Sequence, residues 1–238
     1  MKILVTGGSS DIAKAIIKHR IHKGDDVYFT SSSQNSFEKT KNEYFEQNIN
    51  SKGFIFSFSE PESSKLDLMN ICNQGLDVLI LNAWTRNPPT RKFHEEKFDK
   101  IRSYFELNLM ANIWLIQQVL PIMISQKFGR IIFISSFSTQ NGTGYYSKYV
   151  MGKSAIEGLI KNLANEYGEL NILSNTLRLG IFKTSRTKKY WSKDSYVEKM
   201  SKIIPQNSLG EIDQAAKAID VFLEKDQYIN GASLDVTG

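Results

Sequence analysis

Ile3-Leu4-Val5-Thr6-Gly7-Gly8-Ser9-Ser10-Asp11-Ile12-Ala13-Lys14-Ala15-Ile16-Ile17-Lys18 stands almost at the start of the chain and decides its architecture. A short β-branched and apolar run stops at two glycines and two serines, and the apolar residues beyond them fall at helical spacing. The pattern reads as strand, glycine-rich turn and helix. Such a turn lets the backbone approach a ligand closely. The helix N-terminus adds free N–H groups and the positive end of a dipole, which suits a phosphate. An ordinary βα turn with an N-cap has the same pattern, so the turn alone fixes local structure and not a ligand.

The same alternation continues outward. Gly24 closes the first helix, and strands are expected at 27–30, 53–56, 77–83, 130–136, 173–179 and 232–236. Helices are expected over 36–48, 66–73, 146–166 and 211–224, and one long helix from 95 to 123 after the Pro88-Pro89 loop. Residues 77–83 are apolar on both faces, as in a strand covered by helices on both sides. The alternation implies an α/β fold: a doubly wound parallel sheet of about seven strands with right-handed crossovers, in a single domain over 1–238. Residues 183–209 are polar, basic and aromatic with no clear period, and a stretch of that kind inside a compact domain is expected to be a functional loop.

Composition narrows the class. The 238 residues are 41% hydrophobic, 11% aromatic and 23% charged, enough for a sizeable core and unlike a disordered chain. The net charge is +5, but the Lys and Arg are scattered and their clusters are as short as Arg186-Thr187-Lys188-Lys189. Nucleic-acid binding is therefore not expected, whereas a mildly basic protein suits an anionic cofactor. The single cysteine, Cys72, can form no internal disulfide, which fits a reducing compartment, and it reads as a small buried helix residue. Residues 1–7 are too short for a signal-peptide core, and no run reaches the ~18 apolar residues of a membrane span. A cytoplasmic protein without a membrane or a metal site is expected.

The chemistry-bearing residues lie in the second half. Ser135-Ser136 ends the fifth strand, and Tyr149 and Lys153 fall four residues apart on one face of the next helix. An ammonium beside a phenol favours the phenolate and is expected to lower a pKa ordinarily near 10, making Tyr149 a usable proton donor or acceptor. A Ser136 hydroxyl at the strand end suits a substrate oxygen. Ser135 is the alternative hydroxyl, and Tyr145 and Tyr146 are nearby phenols, but neither has a lysine four residues on.

With these residues in place the chain resembles the short-chain dehydrogenase/reductase family, with a 3-oxoacyl carrier-protein reductase or a tailoring reductase of secondary or polysaccharide metabolism as the nearest functional analogy. The resemblance covers nearly the whole chain: Thr6-Gly7 and its turn, Asn82-Ala83, Asn108 in Glu106-Leu107-Asn108-Leu109, the set Ser136, Tyr149 and Lys153, Asn175-Thr176, Leu179-Gly180-Ile181 through Thr184, and Tyr228-Ile229-Asn230-Gly231 before Asp235-Val236-Thr237-Gly238. It implies a Rossmann-type fold and hydride transfer between a nicotinamide cofactor and a carbonyl or alcohol. Tyr149 would be the general acid or base, Lys153 would hold the nicotinamide ribose and tune Tyr149, Ser136 would position the carbonyl, and Asn108 would hold a water in a relay to Lys153. Asn108 also reads as a buried helix amide bonded to backbone. The implied cofactor contacts are Gly7, Ser9, Ser10, Asp11, Ile12, Ser31, Ser32, Asn82, Ala83, Tyr149, Lys153, Gly180, Ile181 and Thr184.

Four positions depart from the family's pattern. Asp11 and Ala13 stand where further fingerprint glycines would be, and a carboxylate near phosphates repels them unless it caps the helix or bonds nearby backbone. Trp84 stands where a glycine would follow Asn82-Ala83, and its ring is expected to crowd the adenosine side or the mouth of the site. Ser57 stands where an acid is common. Strand two ends in Thr30-Ser31-Ser32-Ser33 with no acid before Glu38, which favours NADP(H), with NAD(H) as the alternative. Phe182, Arg186, Lys188, Lys189, Tyr190 and Trp191 suit an acidic or carrier-bound substrate, or are solvated surface. The apolar segment from Leu107 to Leu120 suits a homodimer or homotetramer, or core packing alone. The competing reading is an idle dinucleotide-binding homologue acting as sensor or scaffold. A nucleotide-sugar epimerase would need a separate substrate domain for which 238 residues leave no room.

Overall fold

β1 (Lys2–Val5) runs into the glycine turn and α1 (Asp11–His22), and the chain then repeats that step. In order follow β2 (Asp26–Ser31), α2 (Gln34–Glu46), β3 (Lys52–Ile55), α3 (Lys65–Cys72), β4 (Val78–Leu81), α4 (Phe98–Phe105), α5 (Ala111–Gln126), β5 (Gly129–Ser136), α6 (Ser138–Asn141), α7 (Ser147–Tyr167), β6 (Ile172–Leu179), α8 (Lys188–Trp191), α9 (Asp194–Ser201), α10 (Ile212–Ala218) and β7 (Ser233–Val236). These elements come from a computed structural model that describes residues 1–85 and 91–238; the Pro88-Pro89 loop lies outside them.

The seven strands are all parallel, in the order β3-β2-β1-β4-β5-β6-β7. From β1 the chain moves outward to β2 and β3, then returns to place β4 on the other side. The order reverses between β1 and β4, and the C-terminal ends of these two strands therefore open a crevice. Every residue of β4 and β6 is buried, which is why they read as strands covered on both faces. Alternation sorts the side chains between two cores. Ile3, Val5, Phe29 and Ile132 pack with α1 and α10, whereas Leu4, Leu79, Leu81 and Phe133 pack with α3, α5 and α7.

The expected helix over 95–123 is not one regular helix. α4 passes into α5 through a wide π-type turn at Glu106–Met110. Widening a helix displaces backbone pairing, and two asparagine amides bond to carbonyls there. Asn108 Nδ2 donates to the Tyr104 carbonyl at 2.8 Å, and Asn112 Nδ2 donates to the Asn108 carbonyl at 2.6 Å. The stretch Phe98–Gln126 has a mean hydropathy of 1.5 in its best window, long and apolar enough by composition to cross a membrane, which corrects the sequence expectation. Its buried side chains Leu115, Ile116, Val119 and Met123 pack in the sheet's core, so the apolar character is that of an inner layer.

The region 183–209 is also more regular than its sequence suggests. It contains a 3-10 turn at Ser185–Thr187 followed by α8 and α9. The short lengths and mixed polar faces of these elements hide their period.

At the C-terminal end of β1, Gly8 lets the turn close on the core. A Cβ there would sit 2.6 Å from the ring of Phe29, whose relative exposure is 0%. Gly8→Ala is expected to lower stability by about 1–3 kcal/mol in urea unfolding, because the buried ring has nowhere to retreat.

Candidate active site

The crevice is built first by hydrogen bonds between the ends of β1 and β4. Thr6 Oγ1 accepts the N–H groups of Asn82 and Ala83 at 3.0 and 2.9 Å. Asn82 Nδ2 donates to the Thr6 carbonyl at 2.9 Å and to Ser10 Oγ at 3.0 Å. Gly7 has φ +70°, and a Cβ on it would lie 3.0 Å from that of Ala83, so the turn needs glycine twice over. Ser10 is the N-cap of α1, its hydroxyl accepting the Ala13 N–H at 3.2 Å. Tyr44, on α2, donates its hydroxyl to the Gly8 carbonyl at 2.8 Å. Nothing in the local sequence links Tyr44 to the turn, and it was missed for that reason.

Asp11 does something other than expected. It neither caps α1 nor bonds its own turn: its carboxylate accepts the N–H of Ser185 at 2.5 Å, across 174 residues of sequence. The glycine turn is thereby tied to the 3-10 turn that begins the 183–209 segment. Thr184 and Thr187 brace that turn reciprocally, and Trp191 Nε1 donates to the Thr184 carbonyl at 2.8 Å.

Ser136, Tyr149 and Lys153 come together at the C-terminal end of β5. Ser136 is the last residue of the strand, and its hydroxyl accepts the Ser138 N–H at 3.2 Å while also facing the Tyr149 phenol. Ser135 points away, donating to Glu157 at 2.5 Å, which removes it as the alternative hydroxyl. Glu157 also accepts Thr139 Oγ1 at 2.8 Å and pairs with the buried Arg178 at 2.7 Å. Burial pushes the Glu157 carboxyl up, but Arg178 and the two hydroxyls outweigh it and hold it below the ordinary range. At the start of α7, Lys148 forms a buried 2.7 Å pair with Glu96, fixing the helix just before Tyr149.

Lys153 is 3% exposed, and its ammonium donates to the Ile134 carbonyl at 2.7 Å. The same nitrogen lies 4.2 Å from the ring centre of Trp84 and 4.5 Å from that of Phe133. Burial pulls its pKa down to about 7, Arg186 adding to the effect and Glu157 opposing it. The Tyr149 phenol is not lowered, as the Tyr-Lys spacing had led us to expect, but raised. Burial dominates, with Tyr146 adding to it, over the opposing Ser136 bond and Arg186 charge. The lysine's hydrogen bond goes to the Ile134 carbonyl, and burial of the phenol outweighs the neighbours that favour the phenolate.

Asn108 is fully buried in the π-type turn. Its Oδ1 accepts both the N–H and the hydroxyl of Thr85, at 2.7 and 2.9 Å. Both ends of the amide are thus bonded to chain, which matches the backbone-bonded reading and ties α4 to the loop after β4. In that loop Trp84 is buried rather than crowding the mouth. Its Nε1 donates to the Tyr104 hydroxyl at 2.7 Å, and its ring meets Tyr149 edge-on at 6.4 Å. Gly152 makes the room, since a Cβ there would lie 2.9 Å from the indole.

Residues 1–195 match the family model for short chain dehydrogenase. The chain belongs to that family. It is 30% identical over 239 residues to the 3-oxoacyl-[acyl-carrier-protein] reductase FabG of Buchnera aphidicola subsp. Schizaphis graminum, covering 99% of this chain and 95% of that one. The FabG of Escherichia coli K12 is also 30% identical, over 240 residues and with the same coverage. Among solved structures, an NADPH-dependent reductase involved in bacilysin biosynthesis superposes with a TM-score of 0.85 at 22% identity, over 100% of this chain and 96% of that one. An actinorhodin polyketide ketoreductase with NADPH superposes with a TM-score of 0.88 at 19% identity, over 100% and 95%.

As a short-chain dehydrogenase the protein is an NAD(P)-dependent oxidoreductase acting between carbonyl and alcohol. Its crevice fits a dinucleotide. The N–H groups of Ser9, Asp11 and Ile12 have no acceptor among the described residues, at the N-terminus of a helix of 12 residues. At the end of β2, the buried Ser31 hydroxyl has no partner among the described residues, and α2 starts just beyond with no acid in its first turn. Glu38, the first acid, is exposed and bonded to Gln34 at 2.8 Å. Ser57 is used locally, its hydroxyl accepting the Glu60 N–H at 3.1 Å.

Proposed function

We propose that this short-chain dehydrogenase is an NADPH-dependent carbonyl reductase in which Tyr149 gives the proton to the carbonyl oxygen, Ser136 holds that oxygen and Lys153 supports Tyr149. The observation that carries the reading is the meeting of a Ser136 hydroxyl, the Tyr149 phenol and a buried Lys153 at one strand end beside the crevice. The dinucleotide, when bound, supplies the hydride. Gly7, Ser9, Ser10, Asp11 and Ile12 would receive its pyrophosphate through backbone, Asn82 and Ala83 its adenosine side, and Gly180, Ile181 and Thr184 its nicotinamide end. Lys153 would hold the nicotinamide ribose, leaving the Ile134 carbonyl to do so. Asn108 acts by fixing Thr85, and its relay role would use the backbone around the π-type turn.

The chain's own residues then divide the work. A phenol raised by burial stays protonated at neutral pH and is suited to donate. The Ser136 hydroxyl sits where the developing oxygen charge needs a donor. A phosphate on the adenosine ribose is supported by Ser31, Ser32, the N-terminus of α2 and the absence of an acid in its first turn. The relatives' 3-oxoacyl-[acyl-carrier-protein] reductases and the exposed Arg186, Lys188 and Lys189 support a carrier-bound or anionic substrate received by 183–209. Exposed Met110 and Met151 and the partly buried Trp114 support association as a homodimer or homotetramer.

The test follows the loss of reduced-nicotinamide absorbance with NADPH or NADH and a 3-oxoacyl thioester, against a panel of simple ketones. Turnover is expected with NADPH at a KM about tenfold below that for NADH, since a 2′-phosphate contact is worth roughly 1–2 kcal/mol. Tight dinucleotide binding with no turnover on any carbonyl would favour the sensor or scaffold reading. No dinucleotide binding would remove the reading of the glycine turn.

A further inference from the structure

We propose that Trp84 is a positioning residue that holds the Lys153 ammonium against its indole face and packs in a T-shaped contact with the Tyr149 ring. The inference rests on the reading of Tyr149 and Lys153 as the reacting pair, and it assigns a task to the position at which this chain departs most from the family's pattern.

The geometry supports both halves. An aromatic face carries negative electrostatic potential and attracts a cation, most strongly when water is excluded. The Lys153 nitrogen lies 4.2 Å from the Trp84 ring centre and 4.5 Å from that of Phe133, with the Ile134 carbonyl 2.7 Å away as its hydrogen-bond acceptor. These two faces and one carbonyl stand in for hydration around a nearly inaccessible charge. The other contact is edge-on: the planes of Trp84 and Tyr149 cross at 85° with centres 6.4 Å apart, a favoured aromatic geometry.

The indole itself is fixed on every side. Its Nε1 is bonded to the Tyr104 hydroxyl at 2.7 Å. Ala83 before it is bonded to Thr6, and Thr85 after it is bonded twice to Asn108. Gly152 presents no Cβ where the ring passes α7. The charged and titratable groups that act on Lys153 or lie against its cage are Tyr149 and Glu157 from α7 itself, Arg186 from the turn after β6, and Tyr104 of α4 behind the indole. Of the charged ones, Glu157 favours the ammonium and Arg186 opposes it. Trp84 therefore adds a favourable contact to a charge that burial disfavours.

The test titrates Lys153 directly by its ¹³Cε resonance in the cofactor-free protein, assigned as the signal missing from Lys153→Met. In Trp84→Leu, which fills space without an aromatic face, the midpoint is expected to fall by about half a unit to one unit. In Trp84→Phe, which keeps a face and loses the Tyr104 bond, it is expected to stay within about 0.3 unit of wild type. The alkaline limb of kcat/KM for reduction, where the ammonium is lost, is expected to move to lower pH in step, with KM for the carbonyl unchanged. If the leucine variant does not fold, fluorinated tryptophan at position 84 keeps the shape while weakening the face, and graded fluorination should lower the midpoint in grades. Equal midpoints in wild type, leucine and fluorinated proteins would overturn the proposal, as would equal shifts in the leucine and phenylalanine variants. The titration needs no substrate, so it separates this inference from the failure of the proposed reaction.

Discussion

Replacing Tyr149 by phenylalanine is expected to lower kcat for carbonyl reduction by about 10²- to 10⁴-fold, the range of a lost general acid, while dinucleotide affinity stays within about twofold. The substitution removes one hydroxyl and keeps the ring. The edge contacts to Trp84 and to Tyr146, at 6.4 and 6.3 Å, survive, so the site keeps its shape. The loss then reports the proton and not the fold. Cofactor titration and single-turnover reduction on the same variant check this, and a variant with the wild-type rate would remove Tyr149 from the mechanism. The direction of the pKa shift adds a second reading. Because burial raises the phenol, its acid form persists through neutral pH, so a fall in the reduction rate there reports loss of the Lys153 ammonium and not of the Tyr149 proton. Alcohol oxidation needs the phenolate and should speed up as pH rises.

The second large effect is on stability. Glu157→Leu is expected to cost about 3–5 kcal/mol in urea unfolding, because it strands a guanidinium in a buried place. Glu157 and Arg178 pair at 2.7 Å with side chains 8–9% exposed, and the only other carboxylate that meets Arg178 among the described residues is Asp235 at 3.3 Å. Removing both partners, as in Glu157→Leu with Arg178→Met, should cost much less than the single change, since no uncompensated charge remains. The pH dependence has a definite sign. Glu157 is held below its ordinary value in the fold, so its contribution is complete above the usual glutamate range. It is lost as pH falls through the depressed folded value. Wild type should therefore lose more stability on acidification than the double variant. An equal loss in the two proteins would show that the pair carries none of this dependence.

The fold was legible because its signals are local. Strands such as Val78–Leu81 are apolar throughout since helices cover both faces, and period and turn residues mark nearly every element. Tyr149 and Lys153 were legible for a similar reason, as four residues on a helix define a common face. What escaped reading depends on distant partners. Asp11 meets Ser185 through a bond that no window of sequence contains. The π-type turn at 106–110 has the same apolar composition as a regular helix, and its asparagines declare themselves only when the carbonyls they serve are known. The pKa of Tyr149 was misjudged in direction because spacing gives the neighbour and not its burial.

Trp84 and Gly152 lie on different elements and interlock, which constrains the order in which the two substitutions can accumulate. A Cβ at 152 would stand 2.9 Å from the indole, so a lineage with a larger residue there cannot accept tryptophan at 84 without distortion. Glycine at 152 had to be present first, at the modest cost of a glycine inside a helix. With the indole in place, a side chain at 152 collides, and glycine at 84 would leave a hole the size of the ring. The dependence runs one way: relatives with tryptophan at 84 should carry glycine at 152, whereas glycine at 152 sets no requirement on 84.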